Sequence, residues 1–157
     1  MELNVIFEND CFKVFRLKEE LIGEIKINDK ANFEKSEITV GDKNYQMIRD
    51  KWKATLFENE NPIYHLKTNS FSGNTKIKEL NKKIEGVWGL KWATQLTDEK
   101  GNSLLKIRND KQFIDNGKCI IQIEDENINP LEILISLYVH LFSSSLKLKN
   151  VMMGGVL

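Results

Sequence analysis

The chain has 157 residues, 41% of them apolar, and its 23 Lys and Arg balance 23 Asp and Glu. That suffices for one domain with a core. The zero net charge excludes the basic excess of a general nucleic-acid binder, and 14 aromatic residues exclude a disordered polar tail.

From Leu3 to about Glu124 the pattern is short and period-2. Phe12 and Val14, with Arg16, alternate with Lys13, Phe15 and Leu17. Ile25 and Ile27 flank Lys26, and Ile38 and Val40 flank Thr39. Tyr45, Met47 and Arg49 alternate with Gln46 and Ile48, and Ala54 and Leu56 follow Trp52 at two-residue spacing. These are strand signals. Turn-like clusters separate them at the spacing of a sandwich or barrel: Asn28-Asp29-Lys30, Gly41-Asp42, Glu58 to Asn61 before Pro62, Asp98 to Asn102, and Asp115-Asn116-Gly117. Gly86 to Leu96 reads as the clearest strand, with Trp88, Leu90, Trp92 and Leu96 on one face. Gly86 and Gly89 suggest a bulge or a close backbone approach.

Asn129-Pro130 then opens a helix over about 130–142, an N-cap followed by a proline at the first helical position. Its apolar residues cover most of the circumference, so it must be surrounded. Its apolar stretch, Leu131 to Phe142, is about 18 Å long as a helix, too short to span a membrane. Glu132, Ser136 and His140 form one polar stripe at i, i+4, i+8. It lines a small cavity wall or, alternatively, faces a barrel opening or strand-end carbonyls. A helix apolar all round fits a closed barrel better than an open sheet, and closure removes the sheet edges. The expected fold is therefore mainly β: one domain over residues 1–157, an antiparallel barrel of about twelve strands enclosing one apolar C-terminal helix. Residues 143–157 form a tail that adds a strand, caps the barrel or lies loose.

The unit KATLFENENPIYHLK, the segment IEGVWGLKWATQLTDEKGNSLLKIRND and the ending KCIIQIEDENINPLEILISLYVHL together resemble the tubby C-terminal-like superfamily, which includes the LURP-one-related proteins and the phospholipid scramblases. The resemblance covers most of residues 10–142. It implies a twelve-stranded barrel around a central C-terminal helix. Two departures are the residues beyond the helix and the lack of a palmitoylated-type cysteine cluster or an EF-hand loop, which weakens a calcium-gated scramblase reading.

Phosphate-loop, dinucleotide, nucleophile-elbow and H-E-x-x-H motifs are absent, and no cofactor or metal is implied. Cys11 and Cys119 lie far apart without zinc spacing and read as thiols of a reduced, cytoplasmic chain, a single disulfide being the alternative. The N-terminus MELNVIFEND has no basic region of a secretory signal. Glu124-Asp125-Glu126 reads as a solvated loop before the helix, or as a cation site.

Charge is uneven. Residues 1–42 hold six basic and ten acidic residues, 43–91 ten and five, and 92–157 seven and eight. The middle excess comprises Arg49, Lys51, Lys53, Lys67, Lys76, Lys78, Lys82 and Lys83, candidates for binding an anionic headgroup or phosphate. Arg49, Lys51 and Lys53 share a strand face unless Asp50-Lys51 is a turn. In tubby proteins the phosphoinositide site is basic and lies on the barrel, so the resemblance implies a similar site here. The expected function is a non-enzymatic module binding an anionic phospholipid or phosphoinositide headgroup, or a protein partner, cytoplasmic and peripheral at the membrane. The alternatives are a barrel-mouth pocket using His65 or His140 as acid/base, and a purely structural subunit.

Overall fold

The structure, a computed structural model, describes residues 1–17, 19–28, 32–87, 92–110 and 118–154, with side chains as far as 145. The strands are β1 (Glu2–Glu8), β2 (Cys11–Arg16), β3 (Glu20–Ile27), β4 (Lys35–Val40), β5 (Lys43–Asp50), β6 (Lys53–Glu58), β7 (Asn61–Thr68), β8 (Thr75–Ile77), β9 (Lys82–Gly86), β10 (Thr94–Thr97), β11 (Ser103–Asn109) and β12 (Cys119–Ile123). Each pairs antiparallel with its neighbours in sequence, and β1 closes the barrel against β12. A 3-10 turn (Lys78–Leu80) joins β8 to β9, and the helix α1 (Pro130–Gly154) ends the chain.

Alternation decides which residues face inward. On β5, Tyr45, Met47 and Arg49 are buried and the residues between them are exposed. The β1–β2 and β6–β7 turns place Asn9-Asp10 (φ 53° and 61°) and Asn59-Glu60 (φ 50° and 70°) in the left-handed region, the backbone of tight hairpins that match strand twist. The expected turns at Gly41-Asp42 and Asp98 to Asn102 are present. In the latter the Asp98 carboxylate accepts the N–H groups of Lys100 and Asn102, both at 2.9 Å.

Asn129 caps α1, its Oδ1 accepting the Leu131 N–H at 2.9 Å. Every residue from Leu131 to His140 is buried, as enclosure on all sides requires. The helix enters at the lower rim, beside the β10–β11 turn. It runs toward the upper rim, where the β1–β2, β5–β6 and β7–β8 turns lie.

Three expectations are corrected. Gly86 to Leu96 is not one strand: β9 ends at Gly86 and β10 starts at Thr94, with Thr94 paired antiparallel to Gly86, so the chain reverses between them. Val87 N–H donates to the Ala93 carbonyl (3.0 Å) at the base of that hairpin. Nor is Gly86 a close approach, since a Cβ there would sit 3.8 Å from the nearest atom. The helix does not stop at 142, because its backbone continues to Gly154 through residues read as a tail. Several expectations fall outside the described residues: Trp88, Gly89, Leu90, Asp29-Lys30 and Asp115 to Gly117.

No helix among the described residues is long and apolar enough to cross a membrane. Cys11 and Cys119 form no disulfide.

Candidate functional site

Strand register assembles the basic residues. Lys53 on β6 lies directly opposite Lys67 on β7, Lys67 opposite Lys76 on β8, and Lys76 opposite Lys83 on β9. Their inward neighbours Ala54, Leu66, Ile77 and Ile84 are core residues, so all four lysines face outward. Four like charges in adjacent cross-strand positions, with strands about 4.8 Å apart, oppose folding, so the row is no stabilising device. Asp50 stands opposite Lys53 at one end, and Glu85 pairs with Lys83 at 3.2 Å at the other. Lys53, Lys67 and Lys76 make no ion pair among the described residues.

Barrel strands tilt, so the row runs obliquely down the wall. At its lower end Lys76, Lys78, Lys82 and Lys83 line a cleft of about 260 Å³. Glu85, Asp98 and Glu99 line the same cleft and offset much of its charge. The net positive wall is therefore the upper part of the row, with exposed Lys51 in the adjoining turn.

Arg49 is not on that wall, which corrects its assignment as a surface anion binder. The chain turns at Lys51-Trp52, and Lys51 has φ 57°. Arg49 points inward and is 4% exposed. Its Nε donates to Tyr138 Oη (3.0 Å), its Nη1 donates to the Lys51 carbonyl (3.1 Å), and its guanidinium lies 3.7 Å from the Phe142 ring centroid. Lys82 also turns inward, and its ammonium pairs with Glu132 in the first turn of α1.

The polar stripe of α1 is tied to protein partners along its length. Glu132 holds Lys82, and Ser136 Oγ donates to the Glu132 carbonyl at 2.8 Å. His140 Nδ1 lies 2.8 Å from Thr94 Oγ1, and its Nε2 lies 2.8 Å from Asn109 Oδ1. Thr94 opens β10 and Asn109 ends β11, so the His140 partners are side chains at strand ends rather than strand-end carbonyls. The run Glu124-Asp125-Glu126 is spent on loop structure. Glu124 takes Lys106 at 3.5 Å, and Asp125 accepts the Asn127 N–H at 3.0 Å. No acidic, His or Cys cluster able to hold a metal ion occurs among the described residues.

His65 packs beside the row, where the Glu79 carboxylate accepts its backbone N–H (2.6 Å) and ring Nδ1–H (2.5 Å). Burial pushes the Glu79 carboxyl up, but these hydrogen bonds outweigh it and hold the group below its ordinary range. A depressed folded value stabilises above the ordinary carboxylate range and is lost as pH falls through the folded value. Glu79→Gln should therefore cost about 0.5 kcal/mol at neutral pH and nothing at pH low enough to protonate Glu79, as read by urea denaturation across the acid range. Equal losses at both pH values would show that the carboxylate charge is idle.

Two aromatic residues are exposed: Phe71 was not singled out from the sequence, and Trp52, read there as one strand run with Ala54 and Leu56, lies in the turn before β6. Trp52, at the β5–β6 tip, is 40% exposed, and Phe71, in the β7–β8 loop, is 101% exposed.

No family model matches the chain, and no curated protein matches its sequence. Among solved structures, the chain is similar to an X-ray structure of the Arabidopsis thaliana protein AT5G01750. The TM-score is 0.59 at 11% identity, over 91% of this chain and 90% of that one. At that identity the likeness carries the fold, a closed twelve-stranded antiparallel barrel with a single C-terminal helix.

Proposed function

We propose that the protein is a non-enzymatic module that binds anionic phosphate-bearing lipid headgroups on the outer barrel wall. The observation that carries this reading is the row Lys53–Lys67–Lys76, three directly opposed lysines that make no ion pair among the described residues, with Asp50 opposite the end of the row at Lys53. Such a row is unfavourable until an anion lies across it. Each lysine near an anionic surface contributes about 1 kcal/mol of attraction. The resemblance to the tubby C-terminal-like superfamily, with its basic barrel-wall site, points the same way.

Flotation with phosphatidylcholine vesicles containing phosphatidylserine or a phosphoinositide tests it. Binding should require the anionic lipid and weaken in high salt, where charges more than a few ångströms apart are screened. Reversal of Lys53, Lys67 and Lys76 to Glu should lower affinity at least about a hundredfold. Reversal of Lys26 and Lys43, on β3 and β5, should change it little. No binding, or binding indifferent to the three reversals, would overturn the proposal.

A further inference from the structure

We infer that the partner is an intact bilayer surface, on which the wall of β6–β8 docks with Phe71 and Trp52 entering the headgroup layer. The inference rests on the anionic-headgroup reading and adds an orientation and an apolar anchor to it.

Phe71 is held outward by an ordered loop. Asn69 Oδ1 accepts the N–H groups of Phe71 (2.8 Å) and Ser72 (3.1 Å). The Asn69 carbonyl accepts the Gly73 N–H at 2.8 Å, and Asn69 N–H donates to the Asn74 carbonyl at 2.8 Å. Gly73 completes the loop at φ 76°, which favours glycine. These bonds fix a phenylalanine with its whole ring in water, which costs free energy unless something covers it.

Trp52 belongs to the same edge, since its carbonyl accepts the Thr68 N–H (2.7 Å) at the base of the Phe71 loop. The outward pair nearest the Phe71 tip is Lys67–Lys76, and Lys51 and Lys53 flank Trp52. Aromatic tips surrounded by lysines match the layering of an anionic bilayer, apolar inside and phosphate at the surface. Charge alone suits an anionic bilayer or an acidic protein equally, and the exposed Phe71 and Trp52 beside the lysines favour the bilayer. Lys67 and Lys76 stand on the strands that lead into and out of the Phe71 loop, one step back from it along the chain.

The test uses the full chain and phosphatidylcholine vesicles with about one-fifth phosphatidylserine. Phe71→Ala and Trp52→Ala should each weaken vesicle binding about tenfold. Neither should alter binding of soluble glycerophosphoserine or inositol phosphates, whose contacts are with lysines alone. Vesicles with brominated acyl chains should quench tryptophan fluorescence, and Trp52→Phe should remove that quenching. Phe71 makes no core contact, so Phe71→Ala should melt like the parent and remains informative if Trp52→Ala folds poorly. Undiminished vesicle affinity in Phe71→Ala, with affinity still abolished by lysine reversal, would overturn the docking and leave headgroup binding standing. Loss of vesicle and soluble-headgroup binding in the parent protein would overturn both, and an acidic protein captured by the same edge would replace the bilayer.

Discussion

Alanine at Gly23 is expected to destabilise the barrel by about 3 kcal/mol, a large part of the roughly 5–15 kcal/mol that holds a domain of this size. Gly23 faces inward on β3, between the wall and the central helix. A Cβ there would lie 2.6 Å from the Thr39 carbonyl oxygen and 3.1 and 3.2 Å from two carbons of Leu134. The carbonyl belongs to the β3–β4 ladder, in which Glu24 lies opposite Thr39 and Gly23 opposite Val40, so it cannot retreat without breaking strand pairing. Leu134 is fully buried in α1 and is held on every side. The reason for glycine is therefore space, taken up by the neighbouring strand's carbonyl and by Leu134 of the helix. Adding Leu134→Ala should not rescue Gly23→Ala, because the backbone oxygen remains. Urea denaturation of the single and double variants checks this, and a loss below about 1 kcal/mol in Gly23→Ala would show that β3 and β4 have room to part.

That contact also marks how far the sequence could be read. Closure was legible because Leu131 to Phe142 is apolar around most of its circumference, broken only by the thin stripe of Glu132, Ser136 and His140, and a surrounding wall satisfies such a helix. Hairpin boundaries were legible where Asn, Asp and Gly cluster. Position in space was not. Gly23 carries no mark separating it from any other strand glycine, whereas Gly86 sits beside two tryptophans and attracts the inference instead. The lysine row was hidden for a similar reason. The Asn59-Glu60 turn pairs Glu58 with Asn61, and an unbroken ladder would set Lys53 opposite inward-facing Leu66. A bulge between Leu56 and Phe57 shifts the register by one and brings Lys53 opposite Lys67. Bulges follow from barrel curvature, which no local pattern encodes. Arg49 erred in the opposite direction: its alternation with Tyr45 and Met47 already placed it inward, and its charge drew it wrongly to the surface.

Truncating Arg49 to alanine should cost about 3 kcal/mol, yet methionine at the same position should restore most of the loss. A buried guanidinium with no carboxylate partner among the described residues carries a desolvation penalty of several kcal/mol. Its Nη2 has no hydrogen-bond partner, which deepens that penalty. Against it stand two charge-assisted hydrogen bonds, of about 1.5–3 kcal/mol each, and the guanidinium over Phe142, worth about 2 kcal/mol when desolvated. These terms nearly cancel, so the charge contributes little and the volume contributes much. Methionine keeps the volume and removes the penalty. Lysine keeps a charge that is more strongly hydrated and cannot spread over the ring, so Arg49→Lys should be worse than Arg49→Met. Burial pushes the Tyr138 phenol up, so it remains protonated and can still donate to the Phe33 carbonyl, 3.4 Å away, when Arg49 is gone. The Lys51 carbonyl loses the guanidinium that ties it to the barrel interior. Arg49 is thus the rivet between the central helix and the turn that carries Trp52. Vesicle affinity should fall several-fold in Arg49→Met even though every lysine of the row remains and the fold is nearly as stable. Urea denaturation and flotation on the same samples separate the two effects. A methionine variant as unstable as the alanine variant would show that the charge, rather than the volume, holds this end of the barrel together.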